Sequence, residues 1–153
     1  MIGSSPTRAP LRLVLDTNLV IAGLLWNGPP RHLLDLAIDE AIALYSSPVL
    51  LDELAHSLRY RKFAPRIERF ATTVETLVAR YAALVAVVAP STAPRVVRDA
   101  DDDHVIAAAL AARADCIVTG DNGLLCLGRH EGIAIIAAAE AVKRIGSNRI
   151  DGA

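Results

Sequence analysis

Leu11-Arg12-Leu13-Val14-Leu15-Asp16-Thr17-Asn18 is a short apolar run, interrupted once by Arg12, that stops at three polar residues. Such a run reads as a buried strand ending in a polar turn. Segments of the same kind recur at Ala41 to Tyr45, Leu84 to Val88, Asp115 to Val118 and Ile133 to Ile136. Helical stretches separate them. Leu19 to Trp26 is one, ended by Asn27-Gly28-Pro29-Pro30. Arg31 to Glu40 carries the stripe Leu33, Leu34, Leu36, Ala37 and Ile38. Ser47 is placed to cap a helix that begins at Pro48 and runs to about Arg59. Pro65 opens a long helix to about Tyr81, an Ala-rich helix runs from the acidic cluster Asp99–Asp103 to near Arg113, and Ala137 to Ile145 forms the last. Five short apolar strands alternating with helices predict an α/β fold, a parallel sheet with helices on both faces. Residues 1–10 read as a loose lead-in, 11–146 as one domain and 147–153 as a loose tail.

A length of 153 residues fits one domain. Hydrophobic residues make up 53%, which rules out a disordered or fibrous chain. Aromatics are 4%, so Ala, Leu, Val and Ile must build the core, and composition speaks against a base-stacking platform. A net charge of −1 argues against coating nucleic acid through bulk charge and leaves a local basic patch open. Cys116 and Cys126 have no CxxC companion, so neither a zinc site nor a disulfide framework is expected. Cys116 reads as a small buried hydrophobe; for Trp26 and the nearby leucines core packing is the default, with a dimer or partner surface as the alternative. No apolar stretch reaches the roughly 18 residues needed to span a bilayer, and the run before Asp16 is too short for a signal peptide. The expectation is a cytoplasmic protein with no membrane partner.

In open α/β sheets, sites form at the carboxyl ends of the strands. That rule points to Asp16 and Asp121, each immediately after a strand, and to Glu53 and the Asp99–Asp103 cluster near the first turns of helices that follow strands. Carboxylates gathered on one edge repel one another unless some are protonated or a cation joins them. Mg²⁺ and Mn²⁺ take hard oxygen ligands, and such a site can activate water against a phosphodiester. At about 100° per residue, Leu50, Leu51, Leu54 and Leu58 define the buried face of the helix after Pro48. Asp52 points away from that face and Glu53 lies at its flank, so Glu53 is the candidate. In the Ala-rich helix the same geometry leaves Asp102 and Asp103 both open. Each acid also has an ordinary explanation. Acids at helix N-termini are favoured by capping and by the macrodipole, worth about 0.3–1 kcal/mol each. Their coincidence at matching positions of one sheet edge is what favours a metal site.

Leu-Val-Leu-Asp16-Thr17-Asn18, Ser-Ser-Pro-Val-Leu-Leu-Asp-Glu53-Leu, and Asp-Asp-Asp103-His-Val-Ile-Ala-Ala-Ala-Leu followed by Ala-Asp-Cys-Ile-Val-Thr119-Gly120-Asp121 resemble PIN-domain proteins. The likeness runs from roughly Leu11 to Ile145 and is closest to toxin components of toxin–antitoxin systems, relatives of VapC-type toxins. It implies a three-layer α/β/α sandwich and Mg²⁺- or Mn²⁺-dependent cleavage of single-stranded RNA. Asp16, Glu53, Asp103 and Asp121 match the four family acids as catalytic residues and metal ligands, and the family preference selects Asp103 over Asp102. Asn18 and Thr119 match supporting polar positions, and Asp99 is counted with them. The resemblance also implies a homodimer and a cognate antitoxin protein. One departure is Gly123, where family members often carry a further acid; it bears on a second ion more than on the first. An alternative reading is therefore a PIN-like module that binds RNA or protein with weak cleavage or none.

The stretch Arg59-Tyr60-Arg61-Lys62 is a candidate for RNA phosphate contacts through Arg59, Arg61 and Lys62. A solvated helix end whose cations complement the dipole explains it equally well. Three other functions fail on specific residues. A phosphoacceptor signalling domain needs an Asp at the end of the third strand, and Ala-Leu-Val-Ala-Val-Val-Ala-Pro-Ser-Thr has none. A haloacid-dehalogenase-type phosphatase needs a second acid where Asn18 stands, and dinucleotide binding needs a Gly-rich turn after the first strand.

Overall fold

The computed structural model describes residues 9–90 and 100–147, the side chains of 100–102 excepted. The expected lead-in and tail lie almost wholly outside the described residues, as does Asp99. The chain runs β1 (Leu11–Leu15), α1 (Thr17–Leu25), α2 (Pro29–Ile38), β2 (Ile42–Ser46), α3 (Pro48–Leu58), a 3₁₀ turn (Arg61–Phe63) and α4 (Ala64–Arg69). It continues with α5 (Val74–Leu84), β3 (Ala86–Val87), α6 (Ala100–Ala112), β4 (Cys116–Val118), α7 (Asn122–Leu127), β5 (Arg129–His130), β6 (Ile133–Ile136) and α8 (Ala138–Gly146). One sheet holds the strands in the order β3-β2-β1-β4-β6-β5. Every pairing is parallel except β5 with β6.

Strand alternation divides the core in two. Leu13 and Leu15 of β1, Cys116 and Val118 of β4, and Ala134 and Ile136 of β6 pack with α1, α2 and α8. Val14, Ile117, Ile133 and Ile135 face the other way, onto α6 and Leu124 of α7. The result is a three-layer α/β/α sandwich, and strands covered on both faces explain the near-continuous apolar runs. Residues Val105 to Ala109 of α6 are all buried, so this helix is apolar all round. That is why periodicity alone could not choose between Asp102 and Asp103. Cys116 is fully buried, and loss of solvation pushes its thiol up to about 11.

Helix α3 starts as its sequence dictates. Ser47 Oγ accepts a hydrogen bond from Leu50 N at 3.3 Å, and Pro48 occupies the first turn, where no N–H is needed. Ser47→Ala is expected to lower stability by about 1 kcal/mol, read from urea unfolding midpoints.

Four expectations need correction. The sheet has six strands rather than five, because Arg129–His130 forms an antiparallel edge strand joined to β6 by Glu131-Gly132. Both turn residues have positive φ, 48° and 85°, as a two-residue hairpin of this hand requires. Glu before Gly is a weaker turn signal than Asn or Asp, so the sequence does not announce this hairpin. The long helix expected from Pro65 to Tyr81 is two helices, α4 and α5. Ala71 takes a φ of 52°, and Thr73 caps α5 by accepting from Thr76 N at 3.1 Å. The strand expected at Leu84 to Val88 shrinks to Ala86–Val87, since Leu84 still belongs to α5. Trp26 is 41% exposed rather than a core residue. Among the described residues no helix is long and apolar enough to cross a membrane.

Candidate active site

Strands β1 and β4 are neighbours where the strand order reverses, with β2 and β3 to one side and β6 and β5 to the other. The crevice outside the carboxyl ends at such a point is where α/β sheets bind ligands. Asp16 follows β1 there, and its N–H is anchored to the Val118 carbonyl at 3.0 Å. Asp16 continues the alternation of Val14, and Thr119 that of Ile117, so both side chains belong to the α6 face. They meet. Thr119 Oγ1 donates to Asp16 Oδ2 at 2.8 Å and accepts from Asp121 N at 2.9 Å. One fully buried hydroxyl thus ties the two strand-end acids together. Asp121 Oδ2 in turn accepts from Leu124 N at 3.0 Å and caps α7. Asp16 and Asp121 line one open cleft of about 340 Å³ with Asn18 and Gly120.

Glu53 reaches the same edge from α3. Thr17, the residue after Asp16, donates its hydroxyl to Glu53 Oε1 at 3.0 Å, while Asp52 is exposed. Asp103 lies near the start of α6 and is 4% exposed. Helix α6 packs on β1, β2 and β4 and then delivers the chain to the start of β4, so its first turns lie at the carboxyl edge. The side chains of Asp101 and Asp102 are outside the described residues, as is Asp99. Gly123 stands close behind Asp121: a Cβ there would lie 3.0 Å from Asp121 Oδ2.

Among the described residues, no three His, Cys, Asp or Glu side chains are close enough to form a metal cage by themselves. Asp16 and Asp121 are the two acids that line the cleft together. The donor set is still selective. Two carboxylates on an open cleft suit a hard ion of the Mg²⁺ class, which binds through one or two carboxylates and keeps several waters. They do not resemble a structural zinc site, which is closed by Cys and His.

The basic stretch lies elsewhere. Arg59 ends α3, pairs with Glu75 at 2.7 Å and donates to the Ala55 carbonyl at 3.1 Å. Arg61 and Lys62 are exposed in the 3₁₀ turn, with Lys62 over the Phe63 ring. None of the three lines the acidic cleft. Sequence reasoning also passed over Thr17, whose hydroxyl holds Glu53; a polar residue directly after Asp16 was its only signal.

The model of the PIN domain matches residues 12–123, a span that contains Asp16, Glu53, Asp103 and Asp121. The chain belongs to the PIN-domain family. An uncharacterised protein of Methanocaldococcus jannaschii is 30% identical over 121 residues, covering 76% of this chain and 75% of the relative. No solved structure matches the chain significantly. PIN domains are generally nucleases, so membership supports a hydrolytic activity for this one. In this PIN domain Thr119 is the structural link between the acids. Thr119→Val keeps the shape and removes both bonds, leaving an Asp16 oxygen and the Asp121 N–H without this partner. A loss of about 1–3 kcal/mol is expected in thermal or urea unfolding.

Proposed function

We propose that this PIN domain is a Mg²⁺- or Mn²⁺-dependent endoribonuclease that cuts single-stranded RNA, acting as the toxin of a toxin–antitoxin pair. The observation that carries the reading is the Thr119 hydroxyl bonded to both Asp16 and the Asp121 backbone, which puts two acids on one open cleft at the switch point. Asp16, Asp103 and Asp121 would hold the ion, directly or through water, with Glu53 beside them. The bound ion supplies charge stabilisation at the phosphate and lowers the pKa of coordinated water. Asp16 is oriented by Thr119, so its carboxylate presents one fixed geometry to the cleft. Glu53, held by Thr17, is the candidate to orient the attacking water. Asn18 lines the cleft at the head of α1 and is positioned to donate to substrate. Attack on phosphorus with departure of the 3′-oxygen leaves a 5′-phosphate and a 3′-hydroxyl.

Purified protein with 5′-labelled single-stranded RNA tests this. Cleavage should require Mg²⁺ or Mn²⁺, stop on chelation with EDTA, and return when the ion is added in excess. Undiminished cleavage in EDTA would remove the metal from the account. The toxin role rests on the family resemblance and has its own test: expression should arrest growth, and a small DNA-binding protein encoded alongside should relieve the arrest as its antitoxin. A homodimer is part of the same proposal, checked by sedimentation.

Gly123 favours a second reading, a PIN-like module that binds RNA or protein without efficient cleavage. With no acid at 123, the cleft lacks a carboxylate beside Asp121, whose Oδ2 serves the α7 cap. RNA binding without metal-dependent cleavage would select it.

A further inference from the structure

Composition makes aromatic residues scarce here, yet the single Trp and one Phe flank one arginine, and the other Phe meets that Trp. The Arg66 guanidinium lies 5.2 Å from the Trp26 ring centroid and 5.0 Å from that of Phe70, and its Nε donates to the Leu25 carbonyl at 2.8 Å. Phe63 meets Trp26 edge-on at 6.2 Å. Trp26 and Phe70 remain 41% and 51% exposed. They border a groove of about 370 Å³ that Arg31, Arg66 and Arg80 also line, with no acid among its described lining residues. Arg31 makes one long, exposed pair with Asp35 at 3.4 Å, and neither Arg66 nor Arg80 pairs with a carboxylate among the described residues.

We propose that this groove binds single-stranded RNA, with bases stacked on the exposed faces of Trp26 and Phe70, which Arg66 holds together, and phosphates neutralised by Arg31 and Arg80. Exposed rings are surfaces on which unpaired bases lie, and a groove lined by three arginines and no acid attracts a polyanion. An acidic peptide would satisfy the arginines and leave the ring faces unused; a nucleic acid strand uses both. The proposal rests on the ribonuclease reading for its choice of RNA. Position supports it as well. Asp16 and Trp26 cap opposite ends of α1, about 15 Å apart at 1.5 Å per residue. Ala22 lines the acidic cleft, and Trp26 lies four residues on, the spacing of neighbours on one helix side. A strand laid along this side of α1 therefore reaches both the groove and the acids.

Because Trp26 is the only tryptophan, its fluorescence reports on the groove directly. The test titrates the whole protein, in EDTA, with single-stranded oligouridylate of about ten nucleotides. Saturable quenching is expected. Arg66→Gln and Phe70→Ser should each weaken binding about tenfold, with circular dichroism confirming the fold. Arg80→Gln alters an exposed side chain; it should weaken binding severalfold and lower the salt slope by about one. Unchanged affinity in all three variants overturns the proposal, and so does equal competition by oligoglutamate of matched charge, which would assign the groove to an acidic peptide. Equally tight binding of duplex RNA overturns it too. The outcomes separate from those of the ribonuclease reading. Quenching that persists while added Mg²⁺ and Mn²⁺ give no cleavage removes only the hydrolytic function, whereas cleavage without quenching removes only this groove.

Discussion

Asp16→Asn and, separately, Asp121→Asn are each expected to slow cleavage of single-stranded RNA by about a thousandfold while leaving stability within about 0.5 kcal/mol of the parent. The two halves of this expectation have different causes. Each change removes one negative charge from the cleft, and a neutral amide is a poor partner for a hard divalent ion. Shape and hydrogen bonding survive. An Asn at 16 still offers an oxygen to the Thr119 hydroxyl, which donates to Oδ2 at 2.8 Å in the parent. An Asn at 121 still caps α7, because Asn is as good an N-cap as Asp. Initial rates on labelled RNA and thermal melts, run on the same preparations, check both halves. An Asp121→Asn protein that cleaves as fast as the parent would end the assignment of that carboxylate. A protein that loses both activity and stability would make its role structural.

The second large effect concerns the fold. Ile106→Ala should lower unfolding free energy by about 2–5 kcal/mol, a large share of the 5–15 kcal/mol typical of a domain. Ile106 is fully buried in α6, packed with Val14 and Ile117 of the sheet. Alanine is the best helix former, so no propensity loss is mixed into the result. What remains is lost burial and a cavity that close-packed neighbours fill only partly. Ile38→Ala is the matched control, because Ile38 is 63% exposed; it should fall within about 0.5 kcal/mol of the parent. Urea unfolding curves decide. A loss below about 1 kcal/mol at Ile106 would mean that α6 is not seated on the sheet as described.

The order of strands and helices was largely legible in the chain. Leu11 to Leu15 and Ile133 to Ile136 stand where their apolar runs end, and Ser47-Pro48 starts α3 as capping chemistry predicts. These features depend on neighbours in sequence. The outward turn of Asp52 was readable from helical period for the same reason. Features that depended on distant contacts or weak turns were not. The β5–β6 hairpin forms because Arg129 and His130 find an edge of β6 to pair with, and the Glu131-Gly132 turn alone does not announce it. The break between α4 and α5 rests on an alanine at positive φ, which sequence preference opposes.

Local chemistry, then, is enough to say that this chain alternates apolar strands with helices and carries acids at strand ends, because period and capping act over a few residues. Folding in three dimensions was needed to set Thr119 against Asp16 across 103 positions and to hold Glu53 by the Thr17 hydroxyl. It was also needed to bring Trp26 and Phe70 against Arg66, and Phe63 against Trp26. Such meetings follow from which strand lies beside which and how each helix packs back on the sheet. Those are non-local choices, made by burying both sheet faces at once.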